Sequence, residues 1–137
     1  MDQIKIFAPA SVANVSCGFD VLGFCLGPVG DKMVIRKTNS PGVKITKIEG
    51  QNLPLDVKKN VAGVAAEALL KAHPSKIGYE IEIYKKIKPG SGIGSSAASA
   101  AGAVFGINEL LNKPFTAHEL IAFAMEGEGL ALSLIHI

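Results

Sequence analysis

The sequence predicts an α+β fold on the basis of three patterns. Short runs of β-branched residues dominate the first half of the chain, and small and apolar residues at helical spacing dominate the second half. The two kinds of segment do not alternate regularly, which argues against a parallel α/β fold. With 137 residues, of which 48% are hydrophobic and 19% charged, the chain is long enough to form one domain around a buried core.

Four strands before the first helix and one after it are predicted from apolar runs that turn signals separate. They cover residues 4–7, 21–26, 32–37, 43–48 and 79–83, and the Gly-Pro-Val-Gly-Asp segment at 27–31 is interpreted as the turn between the second and the third. The last strand alternates apolar and polar residues, which indicates one solvent-exposed face. Lys85, Lys86 and Lys88 follow this strand and are expected on its polar side.

Three helices are predicted. Apolar residues at helical spacing indicate the first helix over residues 60–73. Small and apolar residues at 97–111 predict a buried second helix that ends before Pro114. The third helix begins at Thr116, where Glu119 completes a capping box in which the hydroxyl and the carboxylate each accept one unpaired backbone N–H.

The composition excludes several classes of protein. No apolar run approaches the ~18 residues that a membrane span needs, and the first residues lack the basic and apolar segments of a secretory signal. A net charge of +2 without a large basic cluster argues against nucleic acid as a partner. The two cysteines, Cys17 and Cys25, favour reduced thiols in a cytoplasmic protein over a disulfide framework or a zinc site.

The most informative segment is the glycine- and serine-rich run at residues 89–99. Three alternate glycines, at positions 90, 92 and 94, permit backbone conformations closed to other residues and leave room for a ligand against the main chain. Ser95 and Ser96 stand where the next helix begins, and the free N–H groups of a helix start bind anions. The segment therefore predicts a phosphate-binding loop.

The spacing of this segment excludes two common phosphate-binding loops. A Walker A loop needs a lysine after its last glycine, and none follows Gly94. A dinucleotide-binding fingerprint needs a glycine three residues after Gly92, where this chain has Ser95. The remaining alternative is a flexible connector between a strand and a helix, which would not require alternating glycines followed by small residues.

Two segments resemble a known family, the GHMP small-molecule kinases. Residues 89–99, PGSGIGSSAAS, resemble the ATP-binding loop of these kinases, with Ile93 where leucine is usual. Residues 8–20, APASVANVSCGFD, resemble the amino-terminal segment of the members that phosphorylate homoserine, with Cys17 where proline is common. The resemblance covers residues 3–129 and implies the α+β fold of the GHMP-kinase N-terminal domain, which is of the ribosomal protein S5 domain 2-like type. In this fold a mostly antiparallel sheet is covered by helices on one face.

The resemblance also implies a set of binding residues, with ATP and Mg²⁺ as cofactors and L-homoserine as the small-molecule substrate. Asn14 and Asp20 match positions that contact the substrate, and Ser96 and Glu128 match the ligands of Mg²⁺, with Glu126 as the weaker candidate. The implied ATP-binding residues are Asn60, Pro89, Gly90, Ser91, Gly92, Ile93, Gly94, Ser95, Ser96, Ala97, Ala98 and Ser99. No catalytic side chain is assigned, because the resemblance implies no general base.

Several of these residues have an ordinary structural alternative. Asn60 is equally suited to cap a helix, and Asn14 and Asp20 to cap turns of their own loop. Glu128, taken without the resemblance, is better interpreted as a solvated charge on a helix.

The expected activity is the ATP-dependent phosphorylation of the L-homoserine hydroxyl in threonine biosynthesis. Ser11 stands where the mevalonate-type relatives have a lysine, which favours homoserine as the acceptor. The alternatives are another kinase of the family, of the mevalonate or galactose type, and a non-catalytic S5-like binding domain, such as one that binds RNA. The resemblance allows for a homodimer of the full-length protein, without nucleic-acid or membrane partners.

The end of the chain departs from the family pattern. Residues 132–137, LSLIHI, read like the translation of a sequencing adapter. We therefore expect a truncated ATP-binding domain at residues 1–131 and a foreign tail at 132–137. A second domain that completes the acceptor site is expected in the natural protein, so the chain by itself is expected to be inactive.

Overall fold

The computed structural model describes residues 1–13 and 23–135, within which four strands and three helices form. The sheet is made of β1 (Gln3–Ala13), β2 (Gly23–Thr38), β3 (Val43–Glu49) and β4 (Gly78–Tyr84). The helices are α1 (Val61–Ala72), α2 (Ser95–Leu110) and α3 (Ala117–Ile135), and a single 3₁₀ turn (Val57–Lys59) precedes α1. The predicted strands at 4–7, 43–48 and 79–83 and all three predicted helices are confirmed, with shifts at their ends. Residues 132–135, which belong to the predicted foreign tail, continue α3.

The sheet has the strand order β1-β2-β4-β3. β1 pairs with β2 and β2 with β4 in antiparallel orientation, whereas β3 and β4 are parallel. The parallel pair is joined through α1, since parallel neighbours need a long crossover connection. The prediction of a mostly antiparallel sheet in an α+β fold is therefore confirmed.

The turn predicted at residues 27–31 is wrong, because β2 is one continuous strand. The register between β1 and β2 jumps where Pro9 pairs with Gly30 and Ala10 pairs with Leu26. The intervening residues 27–29 are taken up by this irregularity, so they do not reverse the chain. A Cβ on Gly30 would lie 2.6 Å from the Ala8 carbonyl oxygen, which explains the glycine by the close approach of β1. Glycine and proline mark bulges as well as turns, and sequence alone does not separate the two.

The core lies between one face of the sheet and the helices. Alternate residues of the strands point into it and pack against small and aliphatic residues of α1 and α2; the buried set includes Met33, Ile35, Ile81, Ile83, Leu69, Val104 and Ile107. Side chains of the opposite sheet face, such as Lys5, Phe7 and Lys32, are exposed. Helices therefore cover one face of the sheet, as the sequence predicts. No described helix has both the length and the hydropathy required to cross a membrane.

Side chains cap two of the helices at their first turns. The Asn60 carboxamide oxygen accepts a hydrogen bond from the Ala62 N–H at 3.0 Å and caps α1. At α3 the Thr116 N–H donates to the Glu119 carboxylate at 3.0 Å, and the Glu119 N–H donates to the Thr116 hydroxyl at 3.2 Å. This reciprocal pair is the predicted capping box.

Helix α3 packs closely against α1 at Gly127. A Cβ on Gly127 would lie 2.6 Å from the Val61 carbonyl oxygen and 3.1 Å from the Ala65 Cβ. A Cβ on Gly129, two residues later, would meet no described atom within 4 Å. The two glycines of the same helix therefore have opposite environments.

We expect Gly127→Ala to destabilise the domain and Gly129→Ala to leave it unchanged or slightly more stable. At Gly127 the new methyl meets the Val61 carbonyl oxygen, which the helix backbone holds in place, and such overpacking costs ~1–3 kcal/mol. At Gly129 the helix propensity of alanine contributes up to ~1 kcal/mol. Urea unfolding followed by circular dichroism measures both, and equal midpoints for the two variants would contradict the close approach of α3 to α1.

Candidate functional site

The glycine-rich loop between β4 and α2 depends on left-handed backbone conformations. Gly90, Gly92 and Gly94 have φ angles of 78°, 80° and 77°. A Cβ on Gly90 or Gly92 would meet no described atom within 4 Å, so their requirement is conformational and the space beside them is open. The three alternate glycines of the sequence thus shape the main chain of the loop.

Position 94 requires glycine for a second, steric reason, because the loop is held against β1 at this point. The Ser11 N–H donates to the Ile93 carbonyl at 2.9 Å. A Cβ on Gly94 would lie 2.5 Å from the Ser11 hydroxyl oxygen. Sequence reasoning considered Ser11 only as the residue that replaces a lysine, and did not place it beside the loop. The end of β1 therefore sets the position of the last glycine.

The start of α2 leaves main-chain donors available. The first intrahelical hydrogen bond runs from the Ala98 N–H to the Gly94 carbonyl at 2.9 Å, and no side chain caps the helix. The N–H groups of Ser95, Ser96 and Ala97 therefore donate to no acceptor among residues 1–13 and 23–135. Free N–H groups at a helix start, with the positive end of the helix dipole, attract an anion such as a phosphate.

The two neighbouring serines at this helix start have different surroundings. The Ser95 hydroxyl donates to the Ile87 carbonyl at 3.1 Å and so ties the helix start to the segment after β4. The half-buried Ser96 side chain has no hydrogen-bond partner within the described part of the chain. Of the two hydroxyls, that of Ser96 is the one left to bind a ligand.

Ser99 is buried in α2, where its hydroxyl contacts a buried lysine. Ser99 is 5% exposed, and its hydroxyl accepts a hydrogen bond from the Lys85 ammonium group at 3.0 Å. Lys85 was expected on the polar side of its strand, and this prediction is wrong, because its side chain is 1% exposed. Residues 81, 83, 85 and 87 alternate with exposed or half-buried neighbours, so the period of the strand already places Lys85 on the buried face.

An ion pair makes the burial of Lys85 possible. Its ammonium group donates to one oxygen of the Asp31 carboxylate, and the other Asp31 oxygen accepts from the N–H groups of Lys86 and Ile87 at 2.6 and 2.8 Å. Burial lowers the pKa of Lys85, and the hydrogen bond and charge of Asp31 oppose this effect. Sequence reasoning did not predict this ion pair. Asp31 is 3% exposed and occupies the core face of β2.

Glu128 has an unusual environment for a helical glutamate. Its side chain is half-buried on α3, and its Oε1 atom is buried without a hydrogen-bond partner among the described residues. A buried carboxylate oxygen without a partner is costly, so this atom is a candidate ligand for a cation. In the described ranges no three His, Cys, Asp or Glu side chains converge as a metal cluster. A metal here would therefore bind a single protein carboxylate together with groups of a ligand, as Mg²⁺ commonly does.

The remaining predicted site residues are placed as follows. Asn60 is 6% exposed, and besides capping α1 it donates from its side-chain nitrogen to the Pro54 carbonyl at 3.0 Å. Its role as a helix cap is thereby confirmed, and its contact with adenosine stays a prediction. Asn14 and Asp20 lie outside the described residues, as does Cys17.

Two open concave surfaces in the described part of the chain lie away from the loop. One, of about 300 Å³, lies between α1 and the segment after it and is lined by Glu67, Lys71 and Ser75 among others. The other, of about 500 Å³, lies on the helix-free face of the sheet beside Phe7 and Tyr84. Both are wide open to solvent. The loop therefore offers a ligand free main-chain donors and an open surface.

The fold and the loop together define a class of protein. The model of the "GHMP kinases N terminal domain" family matches residues 57–135, which is more than half of the chain. The chain therefore belongs to the GHMP kinase family.

Within this family the chain is similar to homoserine kinases. The homoserine kinase of Chloroherpeton thalassium is 45% identical over 148 residues, which cover 99% of this chain and 46% of the relative. That of Xylella fastidiosa (strain M12) is 41% identical over 136 residues, with coverages of 98% and 42%. The crystal structure of homoserine kinase from Cytophaga hutchinsonii superposes with a TM-score of 0.91 at 47% identity, and covers 97% of this chain and 43% of that one.

A crystal structure of a mevalonate kinase has a TM-score of 0.73 at 17% identity, which shows a common fold only. The chain spans less than half the length of the homoserine kinases it matches.

We expect Gly94→Ala to destabilise the domain more than Gly90→Ala. Both variants pay ~1–2 kcal/mol for a side chain in the left-handed region. Only the methyl at position 94 also meets the Ser11 hydroxyl, so the additional Ser11→Ala change should recover part of the loss at 94 and none at 90. Chemical denaturation of the five proteins measures these differences. An equal effect of Ser11→Ala on both glycine variants would contradict the contact between β1 and the loop.

Proposed function

We propose that this chain is the nucleotide-binding part of a homoserine kinase, which transfers the γ-phosphoryl group of ATP to the hydroxyl of L-homoserine. The observation that carries the proposal is the start of α2, where free main-chain N–H groups follow a loop of left-handed glycines. Similarity to homoserine kinases along nearly the whole chain supports the choice of acceptor. The product, O-phospho-L-homoserine, would be used in cytoplasmic threonine biosynthesis.

The proposed chemistry relies on placement of the phosphates. Phosphoryl transfer needs charge neutralisation and in-line geometry more than covalent participation by the protein. The N–H groups of Ser95, Ser96 and Ala97 are fixed donors that would need no reorganisation when a phosphate binds. We therefore assign the loop the tasks of binding the triphosphate and orienting it, and we assign no general base.

We infer that Glu128 and Ser96 would hold a magnesium ion. Glu128 offers a buried carboxylate oxygen without a protein partner, and Ser96 offers a hydroxyl that no described residue engages. Both are hard oxygen donors, and Mg²⁺ usually takes few protein ligands together with substrate phosphates. When bound, the ion would neutralise negative charge on the phosphates. Glu128 would hold its position through the close packing of α3 on α1 at the preceding Gly127.

The acceptor would be bound through the segment that contains Asn14 and Asp20. L-Homoserine carries an ammonium group, and the Asp20 carboxylate is a suitable partner for it through a charge-assisted hydrogen bond. Because the chain is less than half as long as the relatives, groups that bind the substrate carboxylate are assigned to the remainder of the protein. We accordingly expect the 137-residue chain to bind ATP weakly and to show no turnover by itself.

The alternatives have less support. Ser11 lies against the loop where a lysine would favour a mevalonate-type kinase, and the mevalonate kinase structure shares only the fold. An RNA-binding role would favour a basic and aromatic sheet face, whereas the helix-free face also carries Glu82, which forms an ion pair with Arg36 at 2.7 Å.

We expect Ser96→Ala and Glu128→Gln to weaken ATP binding in the presence of Mg²⁺ and to have little effect in its absence. Loss of one magnesium ligand should lower the affinity about tenfold, which corresponds to ~1.4 kcal/mol. Titration of the isotope-labelled chain with ATP, followed by the NMR shifts of the loop N–H groups, measures both affinities.

Two neighbouring variants sharpen this comparison. Ser95→Ala removes a hydroxyl that bonds to Ile87 and should act equally with and without Mg²⁺. Glu126→Gln changes the exposed carboxylate two residues before Glu128 and should leave the magnesium dependence intact. A magnesium-dependent loss at Glu126 in place of Glu128 would contradict the assigned ligand. A chain whose loop signals do not respond to millimolar ATP would contradict the proposed nucleotide site.

The acceptor is tested in a chimera in which this chain replaces the matching part of the Cytophaga hutchinsonii homoserine kinase. We expect the chimera to release ADP when L-homoserine is added and not when mevalonate is added. Asp20→Asn should raise the KM for homoserine about tenfold or more, because a hydrogen bond to a charged group contributes ~1.5–3 kcal/mol. The KM for ATP should not change. A variant with an unchanged KM for homoserine would remove Asp20 from the acceptor site.

A further inference from the structure

The buried ion pair of Lys85 and Asp31 lies directly beneath the proposed phosphate-binding loop. Lys85 follows the last residue of β4, and its ammonium group reaches the first turn of α2. There it donates to the Ser95 carbonyl at 2.9 Å and to the Ser99 hydroxyl at 3.0 Å. With the Asp31 carboxylate as third acceptor, all three donors of the ammonium group are used.

These contacts prevent Lys85 from acting as a direct ligand of a phosphate. Its side chain is 1% exposed and that of Asp31 is 4% exposed. The pair carries no net charge, so its long-range attraction for an anion is small. Lys85 can therefore affect the binding of a ligand at the loop only by fixing the position of α2.

The main chain around the pair is also fixed. Asp31 accepts two main-chain N–H groups, those of Lys86 and Ile87, and the Ile87 carbonyl accepts the Ser95 hydroxyl at 3.1 Å. The Lys85 N–H donates to the Glu49 carbonyl of β3 at 2.8 Å. One carboxylate thus connects β2, the segment after β4 and the first turn of α2.

Stability alone gives no reason for burying two charges here. Well-packed neutral side chains of similar size are often as stable as a buried ion pair, because removing charges from water is costly. A positive charge at a helix N-terminus is also opposed by the helix dipole. The pair does, however, provide three donors at one point, and an aliphatic side chain could not reproduce its contacts with Ser95 and Ser99.

We propose that the Lys85–Asp31 pair is a positioning device that fixes the first turn of α2 and thereby aligns the free N–H groups of this turn for a phosphate group. This inference rests on the proposed nucleotide site. It assigns to both residues a role through α2 and not through contact with the nucleotide.

The test neutralises the pair without leaving a lone charge. In the double variant Asp31→Asn with Lys85→Met, the amide oxygen at position 31 can still accept the N–H groups of Lys86 and Ile87. The matched control is the double variant Arg36→Met with Glu82→Gln, which neutralises another ion pair between β2 and β4 on the helix-free face. Chemical denaturation of both shows whether they remain folded.

The first measurement is amide hydrogen exchange without nucleotide. The Ala98 N–H, bonded to Gly94, reports the first turn of α2, and the Val64 N–H, bonded to Asn60 at 2.9 Å, is the corresponding reporter of α1. We expect at least tenfold faster exchange at Ala98 in the Lys85–Asp31 variant, with Val64 unchanged relative to the control. Equal acceleration at both positions, or none at Ala98, would overturn the proposal, because general destabilisation would act on both helices.

The second measurement is the titration with ATP and Mg²⁺. We expect at least tenfold weaker binding in the Lys85–Asp31 variant and no change in the control. A loosened Ala98 with unchanged ATP affinity would overturn the link between the pair and the ligand. If the unaltered chain binds no ATP, the proposed nucleotide site fails by itself, and the exchange comparison still decides whether the pair fixes the helix start. Ser99→Ala removes one of the three contacts and should give an intermediate effect in both measurements.

Discussion

One buried ammonium group joins the sheet of this domain to the helix that begins at the glycine-rich loop. The Lys85 side chain crosses from the end of β4 to the first turn of α2, and its charge is tolerated there because Asp31 of β2 lies beside it. The loop residues before α2 are constrained from the other side by the Ser11 N–H of β1. The helix start is thus held between two anchors, and its first N–H groups have no acceptor among residues 1–13 and 23–135.

The sequence predicted features that depend on local chemistry. The Thr116–Glu119 box and the Asn60 cap require residues close together in the chain, and both form as expected. Helical spacing and β-branched runs likewise located the elements, because amphipathic burial leaves a periodic trace. The error at residues 27–31 has the opposite origin. Gly30 is required by the close approach of β1, and the local sequence does not reveal this partner strand. A bulge was therefore interpreted as a turn.

The candidate site was predictable in position and not in detail. The alternating glycines identify the loop in the sequence. Gly90 and Gly92 are required only for their positive φ angles, and this requirement does not depend on distant neighbours. Residue type does not separate Ser95 from Ser96, and only the family resemblance singled out Ser96. The structural difference lies in the distant Ile87 carbonyl, which accepts a hydrogen bond from Ser95 alone. Lys85 was predicted on the exposed face because its charge was given more weight than the period of its strand. The Lys85 charge can be buried because Asp31 lies beside it, and local sequence does not show this neighbour.

The arrangement of the strands also bears on how the protein behaves among its own copies. β3 is an edge of the four-stranded sheet in the described chain, and an edge strand offers unpaired main-chain groups to any extended segment that comes near. Here the register breaks between Ile45 and Lys47, and Lys44 and Lys47 project exposed charges from the strand. An irregular, charged border is a poor template for further strand addition. The exposed charges of this strand thus discourage aggregation through this edge of the sheet.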